Sequence, residues 1–223
     1  QSLNANTDGY DNTAVGFQSL LLNTSGNDNS ALGYYSLRSN TTGAFNTAIG
    51  NFSLRSNTTG ENNVAVGNAS LTDNTIGEYN TAIGFQALFD NFTGSSNTAV
   101  GAFALSNNAS ATTTGAVGFQ AGSGISDYSN QGGVYLGYLS GYSAGNGSDY
   151  NNFLGYQSGL GVTTGARNIL IGPATIASSY SQVTTGSNNI SIGNDVALPS
   201  ATASNQLNIG NLIYGTNLDG TGA

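Results

Sequence analysis

The apolar positions of this chain recur at a fixed distance. The segment Asn12-Thr-Ala-Val-Gly16 returns, as itself or a close variant, at Asn29 to Gly33, Asn46 to Gly50, Asn63 to Gly67, Asn80 to Gly84 and Asn97 to Gly101. Its closing glycine continues as Gly118, Gly137, Gly155, Gly172, Gly193 and Gly210, at successive spacings of 17, 17, 17, 17, 17, 17, 19, 18, 17, 21 and 17. The residue before each of these anchors is aliphatic, from Val15, Leu32 and Ile49 to Ile192 and Ile209, and the early coils add Leu20, Leu37, Leu54, Leu71, Leu88 and Leu105 four residues after it. Self-similarity at this period is the mark of a stacked repeat. No 3.6-residue period is sustained, and glycine and asparagine at this density are poor helix formers. The pattern predicts an all-β chain, a parallel β-solenoid (β-roll) of about twelve 17-residue coils, each with two short strands and two turns. Alternation along a strand predicts the aliphatic and Leu columns inside the coil. Ala14, Ala31, Ala48, Ala65, Ala82, Ala99 and Ala116, two before the anchor, are then predicted on the opposite, outer face.

The anchor glycines and a second column, Gly26, Gly43, Gly60, Gly77 and Gly94, suit turn positions with positive φ. Two asparagine columns, Asn12 to Asn97 and Asn23 to Asn108, are expected to stack as amide ladders, since coils lie ~4.8 Å apart. Asn40-Thr-Thr and Asn57-Thr-Thr also match the glycosylation sequon, but the period accounts for them without a sugar. Gln1-Ser2-Leu3 repeats as Gln18-Ser19-Leu20, so the chain is expected to start in mid-repeat, as a piece of a longer array. Three stretches follow from the spacing: regular coils over 1–118, irregular coils with insertions over 119–193, and a last coil with a connector over 194–223.

Aromatic residues flank the anchor in most coils, as Phe17, Tyr34, Phe52, Phe85, Phe103, Phe119, Tyr138 and Tyr156. On a lone solenoid they form a long apolar stripe, which soluble monomers rarely expose. Self-association with cyclic symmetry resolves this, and the unbroken column from Ala14 to Ala116 is the expected interface, because small side chains let another backbone approach.

Composition narrows the chemistry. The 223 residues include 3 Arg, 11 Asp or Glu, and no His, Cys, Met or Trp, for a net charge of −8. Disulfides, zinc centres and catalysis by His, Cys or Lys have no residues to carry them. Three Arg make no basic surface for nucleic acid, and no apolar run approaches the ~20 residues of a membrane span. No metal or cofactor is expected, since the calcium-binding nonapeptide Gly-Gly-x-Gly-x-Asp is absent; calcium on Asp8, Asp11 or Asp28 is the alternative. No local motif fixes the carboxylate pair a glycosidase needs. Arg38 and Arg55 share a column beside that of Asp73 and Asp90, which suggests either an anion site or a solvated charge stripe.

The unit Asn-Thr-Ala-Val-Gly-Phe-Gln-Ser-Leu, followed by Asn-Thr-Ser-Gly, resembles the head repeats of trimeric autotransporter adhesins. It is still more similar to related repeats in bacterial surface fibres and phage-type tail fibres. Asn205-Gln-Leu-Asn-Ile-Gly-Asn-Leu-Ile-Tyr-Gly215 resembles the stretch before the C-terminal chaperone module of many tail fibres. The resemblance covers about 12 to 215. It implies a homotrimer of left-handed parallel β-rolls, extracellular, on a cell-surface appendage or virion fibre, that binds host surfaces or matrix. Two departures stand out. The usual head repeat is shorter than seventeen residues, and from Gly137 the Ala column becomes Tyr135, Phe153, Leu170, Ser191 and Asn208.

The expected function is therefore a non-enzymatic fibre segment for surface attachment or receptor binding. Its partner would be a cell-surface glycan or a protein receptor. Insertions in a solenoid map to loops on one face, and here they bring Asp127, Tyr128, Asp149, Tyr150 and Tyr180, residue types that suit adaptable binding loops. An ice-binding solenoid is the alternative, with Thr24, Thr41, Thr58 and Thr75 as its regular column. A glycan-degrading tailspike is the third reading.

Overall fold

The computed structural model describes residues 1–125, 129–174 and 183–216. Twelve three-residue strands stack in chain order, each parallel to the next: β1 (Thr13–Val15), β2 (Ser30–Leu32), β3 (Thr47–Ile49), β4 (Val64–Val66), β5 (Thr81–Ile83), β6 (Thr98–Val100), β7 (Gly115–Val117), β8 (Val134–Leu136), β9 (Asn152–Leu154), β10 (Ile169–Ile171), β11 (Ile190–Ile192) and β12 (Leu207–Ile209). The chain is thus an all-β solenoid of about eleven turns, as the period predicts. Register follows the repeat, with Ala48 opposite Ala31 and Ala65. The sheet runs unbroken through 118 and 193 and ends with β13 (Ile213–Gly215), which folds back antiparallel on β12.

Among the described residues each coil holds one strand, not two. The Leu limb hydrogen-bonds from coil to coil, as Leu54 N–H does to Ser70 O at 3.0 Å. Its backbone is not extended, however: Leu54 has φ 50° and Phe52 φ 59°. A strand would turn consecutive side chains to opposite faces. The left-handed residue lets both Ser53 and Leu54 point inward, and both are fully buried.

The inside and outside of the strand are the reverse of the sequence expectation. Ala48, Ala65, Ala82, Ala99 and Ala116 are buried inside their own chain, while Ile49 is 40% exposed. The Ala column, Ala14 to Ala116, therefore packs against the Leu column and is not an interface with another chain. Volume decides this. Leu54 and its equivalents fill the interior from the other limb, and the strand side has room for a methyl group only.

The later coils solve the same packing problem differently. Tyr135 and Phe153 take the Ala position, and Gly122, Gly141 and Gly159 take the Leu position. A Cβ on Gly141 would run into the rings of Tyr135 and Phe153. We expect Gly141→Leu to destabilise the chain by about 1–3 kcal/mol through overpacking. Leu54 already occupies this position at φ 50°, so the backbone is not the obstacle. Unchanged thermal denaturation of this variant would rule out the exchange of volume between columns.

The two glycine columns serve different needs. Gly50 has φ +132°, where other residues are strained. Gly43 has no positive φ; a Cβ there would strike the carbonyl oxygen of Gly60 in the next coil. That carbonyl also ends two amide contacts, from Asn57 Nδ2 and Asn46 Nδ2, both at 2.9 Å.

Both amide ladders form. Asn40, Asn57, Asn74 and Asn91 each donate Nδ2 to Oδ1 of the asparagine one coil earlier, at 2.8, 2.7, 2.9 and 2.9 Å. These asparagines have no exposed surface, so the sequons at Asn40 and Asn57 present no amide to a glycosylating enzyme. Among the described residues, the run stops at Asn91 Oδ1 and Asn108, whose buried amide atoms have no partner.

Candidate functional site

Turning the Ala column inward turns its neighbours out. Along each strand the first and third residues face solvent. The third is the aliphatic column, with Val15, Leu32, Ile49, Ile83, Val117, Leu154, Ile171 and Ile209 all exposed. The first reads Thr13, Ser30, Thr47, Val64, Thr81 and Thr98 over β1 to β6, and Val134, Asn152, Ile169, Ile190 and Leu207 over β8 to β12. Neither column contains a charged residue. The outer face of the sheet is thus uncharged from end to end.

Aromatic rings continue this surface around the glycine corner. Phe17 stacks on Tyr34 at 5.5 Å, and Tyr34 meets Phe52 edge-on at 5.3 Å. A second run goes Phe85, Phe103, Phe119, Tyr138, Tyr156, with centroids 5.1, 6.0, 5.6 and 5.2 Å apart. In-register neighbours stack, as Phe17–Tyr34, Phe119–Tyr138 and Tyr138–Tyr156 do, because the coil spacing is close to an offset-stacking distance, while Phe52 and Phe103, one position further from the anchor, meet their neighbours edge-on. Asn68 and Ala69 separate the two runs.

The expected loop site is only partly described. Asp127, Tyr128 and Tyr180 lie outside the described residues. Asp149 and Tyr150 occupy regular turn positions. Tyr150 has φ 57°, matching Phe45 and Tyr79 in the same column. Its ring lies over Gly132 on one side and 5.6 Å from the Arg167 guanidinium carbon on the other. Asp149 Oδ1 accepts from Gln131 N–H at 3.0 Å, as Asn27 Oδ1 does from Tyr10 N–H at 3.1 Å. Both residues are therefore engaged in the stack, although Tyr150 keeps 47% of its surface exposed and Asp149 is half-buried.

The arginines are also engaged. Arg55 Nη2 pairs with Asp73 Oδ1 at 3.2 Å, an exposed bridge worth ~0–1 kcal/mol. Arg38 Nε donates to Gln18 Oε1 at 3.0 Å, and its guanidinium carbon lies 5.1 Å from the Tyr35 ring centroid. The Thr column is tied to the backbone: Thr24, Thr41 and Thr58 each donate Oγ1–H to the carbonyl of the next coil's Thr at 3.0 Å. The buried Tyr135 accepts from Asn130 Nδ2 at 2.6 Å. Burial pushes its phenol above the usual tyrosine range, while hydrogen bonding with Ser148 and Asn130 pulls the other way. A cavity of about 40 Å³ lies beside Leu170, Val183, Ser191 and Leu198, with room for water but not for a sugar ring.

Sequence reasoning missed the outer sheet face because it placed those side chains inside. The signal was present: Ala gives way to Tyr135 and Phe153 where Leu gives way to Gly122, Gly141 and Gly159. Two columns that exchange volume face one another.

Fold and surface together define a β-solenoid repeat protein with an uncharged outer sheet. Comparison with protein-family models, with curated proteins and with solved structures finds no match.

Proposed function

We propose that the chain is a non-enzymatic structural segment of an extracellular fibre, and that its copies bundle as a homotrimer through the outer sheet face. The observation that carries this reading is the exposed aliphatic column, Val15 to Ile209, flanked by aromatic rings and free of charge. Soluble monomers rarely leave so long an apolar stripe open, and cyclic association closes it. The resemblance to trimeric adhesin heads and tail-fibre repeats adds the number three and an attachment role toward a glycan or protein receptor.

Mechanically, the segment is a spacer. Each coil is braced by the next through backbone bonds on all sides, so load and position pass along a rod of roughly 55 Å.

Native mass spectrometry of the chain at micromolar concentration tests the assembly. The expected result is a trimer, with sedimentation showing an elongated particle. A monomer at that concentration overturns the reading. Cell and glycan-array binding by the same particle tests attachment separately.

A further inference from the structure

The outer sheet face is not uniform along its length. From β1 to β6 its first column carries hydroxyls at Thr13, Ser30, Thr47, Thr81 and Thr98, with Val64 the exception. From β8 to β12 it carries Val134, Ile169, Ile190 and Leu207, with Asn152 the exception. The third column is aliphatic throughout. The N-terminal half of the face therefore has one aliphatic column, and the C-terminal half has two side by side.

We propose that copies of this chain associate in parallel through the face, and that its C-terminal half, from Val134 to Ile209, holds the assembly together while the N-terminal half contributes little. This rests on the self-association reading above.

A second copy is the occupant for three reasons. The two outward columns hold 24 residues and no charge, on a chain of net charge −8. Another copy can approach closely only where those charges are absent. The face is also large enough: ~55 Å long and ~15 Å wide with its aromatic corner, it offers ~800 Å² per chain, the size of a standard interface. Finally, the period of the face matches itself, so each strand meets its own equivalent coil after coil.

Orientation follows from the uneven first column. In parallel register, Thr13, Ser30 and Thr47 face hydroxyls that can bond to them. In antiparallel register they face Ile169, Ile190 and Leu207, which leaves polar groups unpaired and aliphatic area against them. Strength follows from area: burial of apolar surface drives association, and the C-terminal half adds a second aliphatic column, with Val134 exposed and Ile169, Ile190 and Leu207 half-buried.

Matched triple variants test this. Ile169→Thr, Ile190→Thr and Leu207→Thr together place at the C-terminal end the residue type that the same column carries in β1, β3, β5 and β6, so the fold tolerates it. Val66→Thr, Ile83→Thr and Val100→Thr remove as many outward aliphatics from the N-terminal half. The first triple is expected to raise the concentration for half-assembly by ~100-fold or more, and the second by less than ~10-fold. Circular dichroism confirms that each variant is folded. The chain has no cysteine, so Ser30→Cys reports orientation: oxidation should give a covalent pair if copies run parallel, and none if they run antiparallel. A monomeric parent overturns the self-association reading itself. A parent that assembles but weakens equally in both triples, or yields no cross-link, overturns this inference and leaves that reading standing.

Discussion

Leu71→Ala should lower stability by about 2–5 kcal/mol, as large-to-small changes in sealed cores do. Ile49→Ala, a change of the same size one limb away, should cost less than ~1 kcal/mol within a single chain. Leu71 has no exposed surface and packs between coils against the Ala column. Its neighbours cannot collapse into the gap, because each is fixed by backbone bonds on both sides. Ile49 lies on the outer face at 40% exposure and leaves no cavity. Urea denaturation at several protein concentrations separates loss of fold from loss of assembly. Equal losses for the two variants at the lowest concentration would mean that the interior lies elsewhere.

A single atom change in the amide ladder should be as damaging. Asn57 Nδ2 donates to Asn40 Oδ1 and Gly60 O, and Asn57 Oδ1 accepts from Asn74 Nδ2. Asn57→Asp keeps the acceptor and removes the donor. It places a fully buried carboxylate against two oxygens, at a cost of ~3–5 kcal/mol. The sign of the pH dependence is fixed by the same contacts. Burial and the facing oxygens raise the acid's folded pKa above its unfolded value of ~3.9. The variant is therefore closest to the parent below pH ~4, where the protonated acid again donates to Asn40, and falls behind as pH rises through the folded pKa. Denaturation of both chains from acid to neutral pH should show this widening gap. A gap independent of pH would mean that the amide donor does not matter.

The period, the strand positions, the parallel register and both asparagine ladders were legible in the sequence, because each depends only on which residues recur at the coil spacing. The direction of each strand was not. Thr47-Ala48-Ile49 says that Ala48 faces away from Ile49, but hydrophobicity alone puts Ile49 inside. The structure puts it outside because Leu54 reaches across and leaves room only for a methyl group. The second strand was over-read for a related reason. Ser53 and Leu54 both point inward, which an extended chain forbids and a left-handed Leu54 permits. The Gly43 column was assigned to turns, whereas close approach of the next coil requires it. At the candidate site, the Ala column as interface inverted with the strand, while the need for a covered apolar stripe did not depend on which column formed it. Tyr150 and Asp149 were placed in insertions because the spacing changes near them, although they keep their regular places in the stack.

The exchange between Ala–Leu coils and aromatic–Gly coils divides the molecule in how its length can be inherited. Between Gly33 and Gly101 the anchors fall at 17-residue steps, and any 17 consecutive residues there can be copied or lost while every column rejoins its own kind. Copy number in that half is free to drift, and with it the reach of the rod. After Gly118 a unit is no longer interchangeable, because Tyr135 occupies space left by Gly122 below it and Gly141 beside it. An Ala–Leu coil moved there would set a leucine against a ring. The first half of the chain can thus gain or lose coils from a common pool, while the second half accepts none from that pool.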